Sequence, residues 1–113
     1  MNRYYETVII FSPTIKEEKM KSDIERVKNI IVNCGGNVIK EENWGRKKLA
    51  YEIKKFEEGI YYFIFCEVEK TSFPEELKKF FATNENVIRY GIKKIEKPKK
   101  KLESKDIEVS RVI

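Results

Sequence analysis

The sequence predicts an α+β fold in which two helices cover one face of a four-stranded antiparallel sheet. Four runs rich in β-branched and aromatic residues are interspersed with two runs whose apolar residues recur at helical spacing. Their order along the 113 residues is β-α-β-β-α-β. With right-handed crossovers, this order predicts the ferredoxin-like sandwich, with strands one and three in the centre of the sheet and its second face open.

The first strand is predicted over residues 3 to 11. This run is apolar on both faces, which is typical of a central strand. Pro13 ends the strand. Thr14 and Glu17 then have the spacing of a capping box, so we expect the first helix to begin at about residue 15 with Thr14 as its cap.

Helix one is predicted to reach residue 34, where Gly35-Gly36 stops it. The side expected to pack on the sheet is an apolar stripe made of Met20, Ile24, Val27, Ile30, Ile31 and Cys34. The side expected to face solvent carries Lys16, Glu18, Lys19, Asp23 and Glu25.

Strand two is predicted over residues 37 to 46, and residues 47 to 54 continue it or turn within it. Gly45 predicts a bulge or a bend. Glu57-Glu58-Gly59 predicts the turn into strand three, which spans residues 60 to 69. Alternation places Leu49, Tyr51 and Ile53 on one face of the second strand. We interpret Tyr51 as a core or half-core residue, with stacking on a base as the alternative.

The second helix follows another predicted capping box, formed by Ser72 and Glu75. Its buried side is predicted to contain Leu77, Phe80 and Phe81. A final strand over residues 87 to 95 completes the sheet. The core between sheet and helices should therefore include Ile9, Phe11, Ile24, Val27, Leu77 and Phe80.

The length suits one domain, which we place at residues 1–95. Residues 96–113 contain a lysine run and a proline with little periodicity, so we interpret them as a basic, flexible C-terminal tail. The formal net charge is +5, with 38% charged residues. This excess suits a polyanionic partner, and it equally suits a lysine-rich protein that binds no polyanion.

The residue types present argue against an enzyme. The chain has no histidine, no Gly-x-Ser-x-Gly motif and no glycine-rich phosphate loop. Cys34 and Cys66 lack the spacing of a metal site, and we interpret them as buried thiols, with a disulfide as the alternative. We therefore expect no catalytic residues, no cofactor and no metal.

Membrane insertion is also not expected. No apolar run approaches the roughly 18 residues that a spanning helix needs. We expect a cytoplasmic protein with no membrane partner and no small-molecule substrate.

One segment has the composition of a nucleic-acid contact. Residues 43 to 55 combine one tryptophan and one tyrosine with five cations. Aromatic rings stack on unpaired bases, and cations neutralise phosphates. The alternative for Lys54 and Lys55 is that they protect an exposed edge strand from pairing with another sheet.

Four motifs in this chain resemble the family of the sixth protein of the bacterial small (30S) ribosomal subunit. They are RYYETVII (Arg3 to Ile10), WGRKKLAYEIKK (Trp44 to Lys55), GIYY (Gly59 to Tyr62) and NVIRYGI (Asn86 to Ile92). The second is the specific one, and the resemblance covers about residues 3 to 95. Glu52 departs from the family pattern, which commonly has proline at this position.

The resemblance implies a β-α-β-β-α-β fold and a structural role in the small ribosomal subunit. It implies binding to the central domain of small-subunit (16S) ribosomal RNA, as a heterodimer with the eighteenth protein of that subunit. Carried over onto this sequence, the residues expected to contact RNA or the partner protein are Arg3, Tyr4, Trp44, Arg46, Lys47, Lys48 and Arg89.

Two alternatives from other classes stay open at the level of sequence. A ferredoxin-like small-molecule sensor or homodimerising module would hold its ligand between two sheets and would dimerise when the ligand binds. A small enzyme on the same fold would need an anion-binding loop after strand one, which the sequence lacks.

Overall fold

A computed structural model describes residues 2–96 of the chain. It confirms the predicted order of elements: β1 (Arg3–Phe11), α1 (Glu17–Asn33), β2 (Asn37–Ile53), β3 (Phe56–Val68), α2 (Phe73–Ala82) and β4 (Val87–Ile95). The expected tail lies outside the described residues, apart from Glu96. Within the described part, no helix is long and apolar enough to cross a membrane.

The four strands form one sheet in the order β2-β3-β1-β4, and every neighbouring pair is antiparallel. Thr7, at the middle of β1, lies opposite Ile64 of β3 and Ile92 of β4. The prediction that strands one and three are central is therefore confirmed. Both are hydrogen-bonded on two sides, which explains why both are apolar on both faces.

The main core lies between the sheet and the helices. The predicted stripe of α1 faces inward, with Met20, Ile24, Val27 and Ile31 buried. α2 contributes Leu77 and Phe81, whereas Phe80 is only half-buried and packs at the margin of the core. Phe80 is half-exposed because it lies one position before Phe81, the residue that points at the sheet. The prediction of Phe80 as a core residue is thus only partly right.

The expectation that the second face of the sheet is open is wrong. A second buried cluster covers it, made of Val8, Ile10, Leu49, Tyr61, Phe63, Phe65 and Ile88. Leu49 belongs to the far part of the β2–β3 hairpin, which bends over the sheet and packs against Ile10 and Ile88. At Gly59 a Cβ atom would come within 2.4 Å of Ile10 Cγ2, so only glycine permits this close packing.

The turn of the hairpin differs from the prediction. Glu57, Glu58 and Gly59 lie inside β3, and the chain reverses instead at Lys54 and Lys55. Both lysines have left-handed backbone angles, with φ of 50° and 70°. Asparagine and glycine dominate such two-residue turns, so the Lys-Lys pair does not have a turn signature. Both lysines lie in the turn directly after β2, an edge strand of the sheet, and not within the strand.

Neither predicted capping box forms. α1 begins at Glu17, and Lys16 at its cap position makes no side-chain cap hydrogen bond. The Thr14 hydroxyl lies 2.7 Å from the Ser12 hydroxyl, in the loop that follows β1. The capping-box spacing was misleading because the side chain of Thr14 is engaged with Ser12, three residues before the helix.

At α2 the cap position was predicted correctly, but its hydrogen bond was not. Ser72 precedes the first helical residue, and its hydroxyl donates to Glu76 Oε2 at 2.9 Å rather than accepting a backbone N–H. The Cys34 thiol donates to the same oxygen at 3.1 Å. Cys34 and Cys66 are both buried and free, so their interpretation as thiols is confirmed.

Candidate nucleic-acid interface

Strand β2 changes direction at Gly45, as the sequence predicted. Gly45 has a φ of +76°, a left-handed conformation that favours glycine. Its N–H donates to Asn43 Oδ1 at 2.8 Å, and the pairing with β3 shifts register between these two residues. This bulge separates the regular part of β2 from the far part of the β2–β3 hairpin, residues 46 to 60. We call this part, which carries the cations, the cationic arm.

Trp44 lies in the bulge and is half-buried. Its ring stacks on Phe63, with 5.7 Å between ring centroids and 4° between planes. Its Nε1 donates to Glu42 Oε2 at 2.7 Å, and this bond lowers the pKa of the Glu42 carboxyl. One face of the indole and its only polar atom are therefore used within the protein. The arrangement suits a residue that holds the bend in place better than one that stacks on RNA bases from both sides.

Arg46 is fixed at the base of the hairpin arm. Its Nη2 donates to the Pro13 carbonyl at 2.9 Å, and its Nη1 lies 3.5 Å from Glu58 Oε2. The side chain is 58% exposed, so the ion pair is weak and the guanidinium still reaches solvent. Its position after Gly45 lets it reach back to the loop that follows β1.

Lys47 and Lys48 follow Arg46 and are both exposed. Because successive strand residues point to opposite sides, their ammonium groups project from the two faces of the arm. Neither forms an ion pair with any residue in the range 2–96. The arm therefore presents positive charge in two directions, as contact with a curved polyanion requires.

Arg89 of β4 joins this arm through Tyr51. Its Nη1 donates to the Tyr51 hydroxyl at 2.8 Å, and its guanidinium lies 5.9 Å from the centre of the Tyr51 ring. Tyr51 is 57% exposed, so its interpretation as a core residue is wrong. The hairpin bends at Gly45, and beyond the bend strict alternation no longer decides which side chains are buried.

Arg3 and Tyr4 lie at the opposite end of the sheet. Arg3 pairs with Val68, and its Nη1 donates to the Glu69 carbonyl at 2.9 Å. Burial and the neighbouring Glu67 raise the pKa of the Tyr4 hydroxyl. Strand β1 separates these residues from the cationic arm by roughly 26 Å, at about 3.3 Å per residue. The seven predicted residues therefore do not form one continuous site.

Two cations of residues 43 to 55 are not among the seven predicted contact residues. Lys54 and Lys55 lie at the tip of the arm, and Lys54 lines the same groove as Arg89. The signal that could have found them is the position of a Lys-Lys pair between two strand-like runs. A turn there would place both lysines at the tip of a hairpin.

No group of three acidic or cysteine side chains in the described part of the chain could hold a metal ion. Burial raises the pKa of the Cys34 thiol to about 11 and that of Cys66 to about 12. Both thiols are protonated near neutral pH and are poor nucleophiles. The cations and aromatic rings described above are suited to phosphates and bases.

The fold is that of a small ferredoxin-like protein, and its hairpin carries a cationic surface. The family model for "Ribosomal protein S6" matches residues 4–94. The small ribosomal subunit protein bS6 of Clostridium botulinum is 44% identical over 90 residues, covering 80% of this chain and 95% of that protein. Its counterpart in Aquifex aeolicus is 42% identical over 88 residues, covering 78% and 80%. The chain belongs to the ribosomal protein S6 family.

A solved structure supports the same membership. The crystal structure of 30S ribosomal protein S6 from Thermotoga maritima matches with a TM-score of 0.77 and 35% identity, covering 84% of this chain and 89% of that one. The family resemblance stated from the motifs is thus confirmed. The family is a structural, non-enzymatic component of the small ribosomal subunit, and this localises the protein to the cytoplasmic ribosome.

Proposed function

We propose that this protein binds the central domain of small-subunit (16S) ribosomal RNA and does so together with the eighteenth protein of the subunit. The observation that carries the RNA part is the cationic arm. Arg46, Lys47 and Lys48 lie on one hairpin, and that hairpin contacts Arg89 of β4 through Tyr51.

The contacts of the arm support binding to a folded RNA rather than to a flexible strand. Arg46 is held by the Pro13 carbonyl, and Arg89 is held by Tyr51, so their positions are set before RNA arrives. Pre-set cations lose less conformational entropy on binding. Phosphate contacts of this kind position a protein, while the shape of the RNA supplies selectivity.

The end of the sheet that carries Arg3 and Tyr4 is given a separate role because it lies far from the cationic arm. Arg3 and Tyr4 lie too far from the cationic arm to contact the same phosphates. We assign them to contact with the partner protein or with a separate part of the RNA. This assignment fits a protein that joins two components of an assembly. The alternative of a small-molecule sensor is disfavoured by membership of a ribosomal family.

The salt dependence of RNA affinity tests the role of the arm. Replacing Arg46, Lys47 and Lys48 with alanine should flatten the log-log slope against salt by roughly 2 units, at about 0.7 to 0.9 for each lost phosphate contact. The matched control replaces three exposed lysines on α1, the β3–α2 loop and α2 with alanine: Lys21, Lys70 and Lys78. Its slope should stay at the wild-type value.

If both triple variants fold and have equal slopes, the arm does not bind phosphate and the proposal is wrong.

The partner is tested by measuring the affinity for a central-domain RNA fragment with and without the eighteenth protein. Tighter binding of the pair than of either protein alone is expected. Equal affinities would contradict the heterodimer.

A further inference from the structure

A groove separates the tip of the cationic arm from the start of β4. Its volume is about 330 Å³, at the lower end of the range for ligand sites. Three apolar lining residues, which we call its floor, are each at least 95% buried: Phe81, Val87 and Ile88. Ile53 and Tyr90 also line it, and the Tyr90 ring packs on Phe81 with 4.7 Å between centroids. The floor is thus apolar and partly aromatic.

The rim of the groove is positively charged. Lys54 lines it on the side of the hairpin and Arg89 on the side of β4, while no carboxylate is among its lining residues. Within the part of the chain that the structure describes, neither cation forms an ion pair. A ligand that combines a flat apolar group with a negative charge matches both the floor and the rim.

The backbone of the turn gives a second, independent indication. Lys54 and Lys55 both have positive φ, a conformation that costs a residue with a Cβ atom stability relative to glycine or asparagine. Strain of this kind is often kept where the side chains have a function. Here the strained turn contains Lys54, which lines the apolar groove, and Lys55, which follows it at the tip of the hairpin.

We propose that this groove holds one unpaired nucleotide of the bound RNA, with its base on the floor and its phosphate between Lys54 and Arg89. The inference rests on the proposed RNA-binding function and goes beyond it, because it assigns base contact to one groove between the hairpin tip, α2 and β4. An apolar protein side chain would fit the floor less well, since it would leave the rim cations without a counter-charge.

The test fills the groove without changing any charge. Ala82 lines the groove and is exposed at the end of α2, so Ala82→Trp should occupy it with an indole. The matched control is Ala50→Trp, at an exposed position of the hairpin arm that does not line the groove. Binding of a central-domain RNA fragment should weaken about tenfold in Ala82→Trp only, which is the size of one base-stacking contribution. The salt slope should flatten by no more than the loss of one phosphate contact, about 0.7 to 0.9.

A second variant tests the strained turn. Replacing Lys54 with Asn and Lys55 with Gly supplies favoured turn residues and removes two cations. We expect the denaturation midpoint to rise and the RNA affinity to fall. A rise in stability with unchanged affinity would show that the lysines have no part in binding, and would overturn the phosphate contact.

Failure of this inference is distinguishable from failure of the proposed function. If Ala82→Trp binds RNA like Ala50→Trp while the Arg46-Lys47-Lys48 variant loses its salt slope, the groove holds no base and the RNA function stands. If Ala82→Trp weakens only the binding of the eighteenth protein, the groove takes a protein side chain and the inference is wrong. If the wild-type protein binds no RNA, both are wrong.

Discussion

Asn84 donates its Nδ2 to Asp23 Oδ2 at 2.9 Å, and this bond joins α1 to the loop that enters β4. Lys19 donates to the other oxygen of the same carboxylate, also at 2.9 Å. Asn84 Oδ1 in turn accepts the Asn86 N–H. Asp23 is only 1% exposed, although the helical pattern placed it on the solvent side of α1. The loop between α2 and β4 covers it.

Asp23→Ala should lower the free energy of unfolding by about 2 kcal/mol, because it removes a buried carboxylate that accepts hydrogen bonds from Asn84 and Lys19. Urea denaturation measures the change. Glu25→Ala, on the exposed side of the same helix, should change stability by less than about 0.5 kcal/mol. Equal effects of the two substitutions would show that the Asp23–Asn84 bond does not stabilise the fold.

Thr7→Val should stabilise the protein by about 1 kcal/mol. The Thr7 side chain is 1% exposed, and its hydroxyl has no hydrogen-bond partner among the described residues. Valine keeps the shape and removes the cost of burying an unpaired hydroxyl. Thr7→Ser, which keeps the hydroxyl and loses the methyl group, should destabilise. A loss of stability in Thr7→Val measured by thermal unfolding would contradict this view.

Ile24→Ala should cost roughly 2 to 5 kcal/mol, because Ile24 is 6% exposed and packs between α1 and the sheet. Val32→Ala is the control on the same helix, since Val32 is 64% exposed. Its change should stay under about 0.5 kcal/mol. If chemical denaturation gives similar values for both variants, the inward face of α1 is assigned wrongly.

Stability should fall as the pH rises above about 9. Burial raises the pKa of the Cys66 thiol to about 12, whereas a thiol in the unfolded chain ionises near 8.5. Between these values the unfolded state binds fewer protons than the folded state, so the free energy of unfolding decreases with pH. Each thiol with a raised pKa lowers the free energy of unfolding by at most about 1.4 kcal/mol per pH unit.

Cys66→Ala should flatten this dependence, which denaturation between pH 8 and 11 would show. Val68→Ala is the control, because Val68 is equally buried in the same strand but does not titrate. It should lose stability at every pH and keep the wild-type slope. If the stability of Cys66→Ala depends on pH as steeply as that of the wild type, this thiol does not cause the loss of stability at alkaline pH.

The order of the elements and the buried stripe of α1 could be predicted from sequence, because hydrophobic periodicity is a local signal. Met20, Ile24, Val27 and Ile31 recur at helical spacing, and all four are buried. The bulge at Gly45 was also predicted, since glycine is the residue that tolerates its left-handed backbone. These features depend on residues that are close together in the chain.

The helix caps and the hairpin turn could not be predicted in the same way. Ser12 competes for the Thr14 hydroxyl, and packing against Ile10 requires Gly59 inside a strand rather than at a turn. The contact that engages Thr14 is itself local, two residues away, and a local pattern gave no sign of which contact would form. For Gly59 a contact with β1, distant in the chain, required a role other than the one its residue type suggested. Non-local packing energies exceed the preferences of single turn or cap residues.

For the candidate site, the sequence by itself determined which residues carry charge and aromatic rings, and that Arg46, Lys47 and Lys48 lie side by side. Only the tertiary structure decided that Arg89 meets Tyr51 while Arg3 and Tyr4 lie at the far end of the sheet. The physical reason is that strand register and the bend of the hairpin set these distances. Both result from contacts between distant segments: Arg89 and Tyr51 are 38 residues apart in the chain, and Arg3 and Glu69 are 66 residues apart.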